Sequence, residues 1–353
     1  MGIWNRKYLM IRYLIIGILV WLLWNCWTTP SYGNSIYISQ SGASIDLDIV
    51  QDGQNNEIEG LSGSGSAIVY GTNSTATFTQ TGNSNQIRVW SDSSSGKSST
   101  SNQTGNSNIS LVDNHGQDNT ITMNVTGNSN YAFNEIGNGG DTDNTITTTI
   151  NGDSNNVIAE VQNGDSNTID VQVQSQDNNI VRVYVNGDNN NAKVWQGKHE
   201  SGSVDSNETG DNDAYWYITG NSNTTASYQT DDNNNGGQYT FNDIDGSSNT
   251  VKITQRGAGD HWSKTDVNGD NNDITVLQRG NSNTQTSTIT VDSGHEVDLL
   301  QRYGDHTSTI NLTNSGGAYN LDVDQIDQST DRSYSITGYC TNPSGCTVSV
   351  TQN

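Results

Sequence analysis

The sequence predicts an all-β fold, a β-solenoid of stacked strand–turn–strand coils of about 23 residues with two short strands per coil and a cross-β core. Three observations carry this expectation: a corner motif that recurs at fixed spacing, strict apolar–polar alternation between the corners, and the lack of proline in the repeats.

The corner motif is Gly-[Asn/Asp]-[Ser/Asn]-Asn, with its glycine at Gly82, Gly105, Gly127, Gly152, Gly164, Gly187, Gly220, Gly269 and Gly280, and in weaker form at Gly53. Full repeats are 22 or 23 residues, as from Gly82 to Gly105, Gly105 to Gly127 and Gly164 to Gly187, and intermediate copies fall halfway. Glycine and asparagine tolerate positive φ, so these glycines are expected at tight corners.

Between corners, inward candidates alternate with polar residues. Ile121, Met123 and Val125 follow Asn119; Ile169, Val171 and Val173 follow Asn167; Ile274, Val276 and Gln278 follow Asn272. Period two over about five residues is a strand with one buried face. The only prolines, Pro30 and Pro343, lie outside the repeats, where the loss of a ladder hydrogen bond does no harm. One such unit cannot bury its own apolar face, but a stack of them can. Residues 91–102 and 197–206 break the alternation and are expected to be irregular insertions at a corner.

The two ends differ from the repeats. Arg6, Lys7 and Arg12 precede an apolar run at 13–24, and Ser31-Tyr32-Gly33 offers small residues at a cleavage site. That is the layout of a secretory signal peptide. The run is shorter than the ~18 residues a membrane span needs, so the mature chain is expected to have no span. The expected organisation is a signal peptide at 1–33, the repeat solenoid at 34–336 and an end segment at 337–353. In an exported chain, Cys340 and Cys346 are expected to form a disulfide that staples the last rung. No further ligands surround them.

Composition narrows function. Removing the leader leaves 11 basic against 38 acidic residues, a net charge of −27. This argues against a nucleic-acid partner, which needs Lys and Arg. Hydrophobic residues are only 30% of the chain, too few for a conventional globular core of this length.

With these motifs in place, the mature chain resembles the curlin family, the subunits of bacterial curli amyloid fibres. Their repeat has the form Ser-x5-Gln-x-Gly-x2-Asn-x-Ala-x3-Gln. Ser74, Gln80, Gly82 and Asn85 match its first part with the right spacing, and Gln-x-Gly-x2-Asn stands also at Gln51/Gly53/Asn56, Gln103/Gly105/Asn108, Gln162/Gly164/Asn167 and Gln278/Gly280/Asn283. The second half, Asn-x-φ-x3-Gln, stands at Asn190/Ala192/Gln196, Asn249/Val251/Gln255 and Asn272/Ile274/Gln278. Val125 and Val185 replace glutamine in some half-repeats, and the chain has many more repeats than a typical curlin. The resemblance implies a structural subunit of an extracellular curli-like fibre in a biofilm matrix. It implies export through an outer-membrane secretion apparatus to the surface of a Gram-negative bacterium, and partnership with itself and with a related nucleator or fibre subunit.

The residues carry a physical reading beside this. Identical amide side chains in stacked coils hydrogen-bond along the stack. Gln51, Gln80, Gln103, Gln162 and Gln278, with Asn56, Asn85, Asn108, Asn167 and Asn283, are the expected ladders. Open solenoid edges would then template the addition of further copies.

Other chemistry is less well supported. Gly139-Gly140-Asp141-Thr142-Asp143 is the nearest approach to a calcium-binding corner and is not repeated; the five histidines lack ligand spacing. No cofactor is expected. No nucleophile elbow or phosphate loop appears, so the chain is not expected to be an enzyme. The alternative is a monomeric secreted solenoid that binds glycan or ice. Threonine stretches at 145–150 and 284–290 and the rings of Trp90, Trp195, Trp216 and Trp262 would serve it.

Overall fold

The computed structural model describes residues 35–353 except 37, 56, 60–67, 73, 83, 85, 93–95, 105, 115–116, 127, 138–141, 152, 163–164, 174–178, 187, 198–211, 220–221, 232–236, 246–247, 258, 269–270, 293–295, 314–318, 327–330 and 339–345. In chain order the strands are β1 (Ser39–Ala43), β2 (Asp46–Gln51), β3 (Ile68–Thr72), β4 (Ser74–Gln80), β5 (Ile87–Asp92), β6 (Lys97–Gln103), β7 (Ser110–Asn114) and β8 (Ile121–Val125). They continue with β9 (Ala132–Gly137), β10 (Ile146–Ile150), β11 (Asn156–Gln162), β12 (Ile169–Val173), β13 (Asn179–Val185), β14 (Lys193–Gln196), β15 (Asn212–Ile218) and β16 (Thr225–Asp231). The last eight are β17 (Gln238–Ile244), β18 (Val251–Gly257), β19 (His261–Asn268), β20 (Ile274–Asp292), β21 (Glu296–Thr313), β22 (Asn320–Ile326), β23 (Arg332–Gly338) and β24 (Thr347–Gln352).

The chain is an all-β solenoid. Strands pair in parallel with the next but one, as β8 with β10 and β11 with β13. This gives two stacks. The odd-numbered strands form one, joined by the second halves of β20 and β21; the even-numbered strands form the other, joined by the first halves of β20 and β21. With β20 and β21 counted in both, each ladder has thirteen rungs among the described residues. The corners stack as well: Ser129 N donates to Asn106 O (2.8 Å), Ser154 N to Asn128 O (2.8 Å) and Ser222 N to Asp188 O (2.8 Å).

The alternation in the sequence becomes burial. Along β13 every second residue, from Asn179 through Val181 and Val183 to Val185, is buried. The inward faces of the two ladders meet in a thin core. In the middle coils that core is mainly aliphatic, with Ile121, Met123, Val125, Ile146, Ile150, Ile169, Val171 and Val173 from the even ladder against Val157, Val161, Val181 and Val183 from the odd, broken by Asn134, which donates to Thr148 Oγ1 at 2.7 Å. Towards the C-terminal coils polar side chains share it: Ser227, Gln229, Thr240, Asn242, His261, Ser263, Gln285 and His306 are all buried.

Four expectations need correction. Residues 97–102 are no insertion: they belong to β6, whose inward positions are Ser99 and Ser101. Serine in place of an apolar residue hid the alternation. The boundary at 336 falls inside β23, and the end segment carries β24, which continues the even ladder on β22. No corner motif precedes β24, so the repeat could not be followed that far. Positive φ falls on Gly96, Gly197, Gly257 and Gly304, and on Ser44, Asp118 and Tyr303, not on Gly53, Gly82 or Gly280. The glycines of the other full motif copies lie outside the described residues. Gly280 lies within β20, where an added Cβ would stand 3.1 Å from His261 Nε2 and 3.2 Å from Gly257 O. Close approach of the neighbouring coil, not φ, leaves little room for a side chain there. Lastly, Trp216 is fully buried in the core and presents no ring to a ligand.

Candidate functional site

The even ladder ends each strand with the same inward position, and glutamine fills it at both ends of the solenoid. Gln80 Nε2 donates to Gln51 Oε1 at 2.9 Å, and Gln103 Nε2 to Gln80 Oε1 at 3.3 Å. The position is then Val125, Ile150 and Val173 on β8, β10 and β12. Glutamine resumes at Gln196 and runs unbroken: Gln229 donates to Gln196 (3.0 Å), Gln255 to Gln229 (2.9 Å), Gln278 to Gln255 (2.9 Å), Gln301 to Gln278 (2.8 Å), Gln325 to Gln301 (2.8 Å) and Gln352 to Gln325 (2.7 Å).

The amides before Gln352 also brace their corners. Gln80 Nε2 donates to Gln86 O (3.1 Å), Gln103 Nε2 to Ile109 O (2.7 Å), Gln255 Nε2 to Trp262 O (3.0 Å) and Gln278 Nε2 to Thr286 O (3.0 Å). One side chain therefore joins neighbouring coils and satisfies a carbonyl where the chain crosses to the other ladder. That is why glutamine is worth burying.

Asparagine forms two further columns at the starts of strands. On the even side Asn144 donates to Asn119 (2.8 Å), Asn167 to Asn144 (2.6 Å), Asn190 to Asn167 (2.7 Å), Asn223 to Asn190 (2.7 Å) and Asn249 to Asn223 (2.6 Å), with Asn272 on Asn249. On the odd side Asn130 donates to Asn108 (2.6 Å), Asn155 to Asn130, and Asn179 to Asn212 (2.7 Å). Beyond Asn212 the same position becomes Gln238, His261, Gln285 and His306. His261 Nε2 lies 3.2 Å from Arg279 O, and burial pushes its pKa below the ordinary imidazole value.

The structure brings together Gln51, Gln80 and Gln103, and puts Gln278, Asn108 and Asn167 in their columns. Gln162 belongs to none of them. It lies on the outer face of β11 and donates to Glu135 Oε1 (3.0 Å) and Glu160 Oε1 (2.9 Å), because Val161 takes the last inward position of β11, three residues before Gly164, whereas Gln80 stands two before Gly82. Asn283 lies in β20 opposite Gly304. Asn56, Asn85, Gly105, Gly127, Gly152, Gly164, Gly187, Gly220, Gly269 and Cys340 are outside the described residues. Cys346 is half-buried against the core and disulfide-bonded. The ladder members Gln229, Gln301, Gln325 and Gln352 were missed because no corner motif follows them. The usable signal was the strand ending, as in Val297-x-Leu299-x-Gln301 and Leu321-x-Val323-x-Gln325.

In the C-terminal coil, inward positions are exposed. Tyr334 of β23 pairs with Ser308 and is 47% exposed; Val348 of β24 pairs with Leu321 and is 48% exposed. Val350 follows with partial burial. β24 pairs only with β22 among the described residues. At the other end β2 carries the same pattern, with Leu47, Ile49 and Gln51 matched to Ala76, Phe78 and Gln80 of β4.

Among the described residues no cluster of three or more His, Cys, Asp or Glu is placed to hold a metal, and no helix is long and apolar enough to cross a membrane. Comparison with protein families, with curated proteins and with solved structures finds none that matches the chain.

Proposed function

We propose that the chain is a structural subunit of an extracellular, curli-like amyloid fibre that grows by stacking the end coil of one copy on the first coil of the next. The observation that carries this reading is the correspondence between the terminal strands. Val348, Val350 and Gln352 of β24 repeat the inward pattern of Leu47, Ile49 and Gln51 of β2. A second copy placed beside β24 would cover Val348 and pair the strand edge, and its Gln51 Nε2 would donate to Gln352 Oε1 in the sense the internal glutamine pairs use. Binding and scaffolding then need no catalytic group. The leader and the resemblance to curlins support export to the surface of a Gram-negative cell and a place in a biofilm matrix.

The test is thioflavin-T fluorescence with negative-stain microscopy on residues 34–353 diluted from denaturant, with and without seeds. Fibres that form after a lag, with the lag abolished by seeds, are expected. A β-rich monomer that stays dispersed for days would sink the proposal and favour the glycan or ice binder. For that alternative the outward threonines Thr286, Thr288 and Thr290 and the outward rings Trp195 and Trp262 remain, without Trp216.

A further inference from the structure

The outer face of the odd ladder is not uniform. From β13 to β19 it carries six half-buried or exposed rings on four successive rungs: Tyr184, Tyr215, Tyr217, Tyr239, Phe241 and Trp262. Tyr184 stacks on Tyr217 with centroids 5.0 Å apart, and Tyr239 on Trp262 at 4.2 Å. Tyr215 meets Tyr239 at 5.4 Å and Tyr217 meets Phe241 at 5.7 Å across the diagonal. Later rungs of the same face carry Thr286, Thr288, Thr307 and Thr309 instead. A contiguous apolar patch on an otherwise acidic, threonine-rich surface marks an interaction site.

Charge on that patch runs in two neighbouring columns. One holds Ile158, Arg182, Tyr215, Phe241 and Lys264 on β11 to β19; the other holds Glu160, Tyr184, Tyr217, Asp243 and Asp266 on the same rungs. Cations thus occupy one column and acids the other. Arg182 lies over the ring of Tyr215 (5.3 Å) and Lys264 over Phe241 (5.0 Å). Burial, with Asp245 and Asp266 nearby, raises the pKa of Asp243 against the opposing pull of Lys264.

We propose that this face is a lateral interface between two copies of the solenoid, related by a two-fold axis parallel to the stacking direction. That operation lays the cationic column of each copy over the acidic column of the other. Lys264 then faces Asp266 on the same rung and Asp243 one rung away; Arg182 is one rung from Glu160; Tyr215 faces Tyr217. An antiparallel arrangement, with the axis between β15 and β17, would set Arg182 against Lys264 and is disfavoured. Five rungs of about 4.8 Å and strands of about seven residues give a face on the order of 550 Å² per copy. A standard interface buries about 800 Å² per partner, so one pair of subunits holds weakly. Copies joined end to end would add one such patch per subunit, and the pairing would become strong through multivalency. The inference therefore rests on the stacking reading above.

The experiment is mass per length of seeded fibres by electron microscopy for the wild type, Lys264→Glu, and Lys264→Glu with Asp266→Lys. The expected result is paired filaments for the wild type, a twofold lower mass per length for Lys264→Glu with seeded growth unchanged, and paired filaments again for the double variant. Single wild-type filaments, or Lys264→Glu filaments paired like the wild type, would overturn the lateral interface while leaving stacking intact. Single wild-type filaments that sediment with insoluble cellulose, with sedimentation lost in Tyr217→Ser, would overturn it in favour of a glycan. Absence of any fibre from the wild type overturns the stacking reading, and this one with it.

Discussion

The middle coils and the C-terminal coils fill the same inward corner in opposite ways. On β8, β10 and β12 the position holds Val125, Ile150 and Val173, each essentially inaccessible. From β14 to β24 it holds seven successive glutamines, each hydrogen-bonded to the next. The aliphatic solution relies on packing alone and tolerates small changes of shape. The amide solution relies on complete hydrogen bonding, and a gap anywhere leaves neighbours unsatisfied on both sides. Identical backbone geometry thus supports two kinds of core, one forgiving and one all-or-none.

The largest effect that probes this difference is expected for Gln255→Ala. It removes the donor to Gln229 Oε1, the acceptor for Gln278 Nε2, and the donor to Gln238 O and Trp262 O. A loss of about 3 kcal/mol is expected from the orphaned groups and the cavity together. Denaturant unfolding checks it, and a loss under about 1 kcal/mol would mean that the ladder contributes little. Next comes Ile150→Gln, which buries an amide between Val125 and Val173 and is expected to cost about 2 kcal/mol. The triple variant Val125→Gln, Ile150→Gln and Val173→Gln should recover most of that loss by joining Gln103 to Gln196. Equal stability of the single and triple variants would deny the cooperativity. Val173→Ala is expected to cost about 1.5 kcal/mol, the value of two buried methyl groups, with no effect on neighbouring rungs by hydrogen exchange.

The smallest effect concerns pH. Burial lowers the pKa of His261 in the folded chain, so its stabilising contribution is present above the unfolded imidazole value of about 6.5 and is lost as pH falls below it. Asp243 and Asp298 are raised, first by burial and then by neighbouring carboxylates. Their contribution has the opposite sign: it is present at low pH and lost as pH rises through their folded values. His261→Gln, which places an amide between Gln238 and Gln285, should flatten the decline in stability between pH 7 and 5. An unchanged pH profile would remove His261 as its source.

How much of this was legible depends on what each signal was anchored to. Strands with aliphatic inward residues, such as β8 and β12, could be read directly because period two was intact. β6 could not, since Ser99 and Ser101 are polar residues at buried positions and only the neighbouring coils explain their burial. The ladder at Gln51, Gln80 and Gln103 was legible because a corner motif fixed its parity, whereas the same motif misplaced Gln162, whose strand runs one residue out of phase. Gln301, Gln325 and Gln352 lacked the motif and needed the register of the stack to be found.

The sequence by itself determined the all-β class, the coil length and the alternation of inward and outward residues, because these depend on local periodicity and on corner residues a few positions apart. Tertiary structure alone decided which amides meet, which face gathers the aromatic rings, and which inward residues of β23 and β24 stay exposed. Paired residues in neighbouring coils lie 21 to 33 positions apart, and irregular spacings between corners make that register unreadable until the backbone ladders set it.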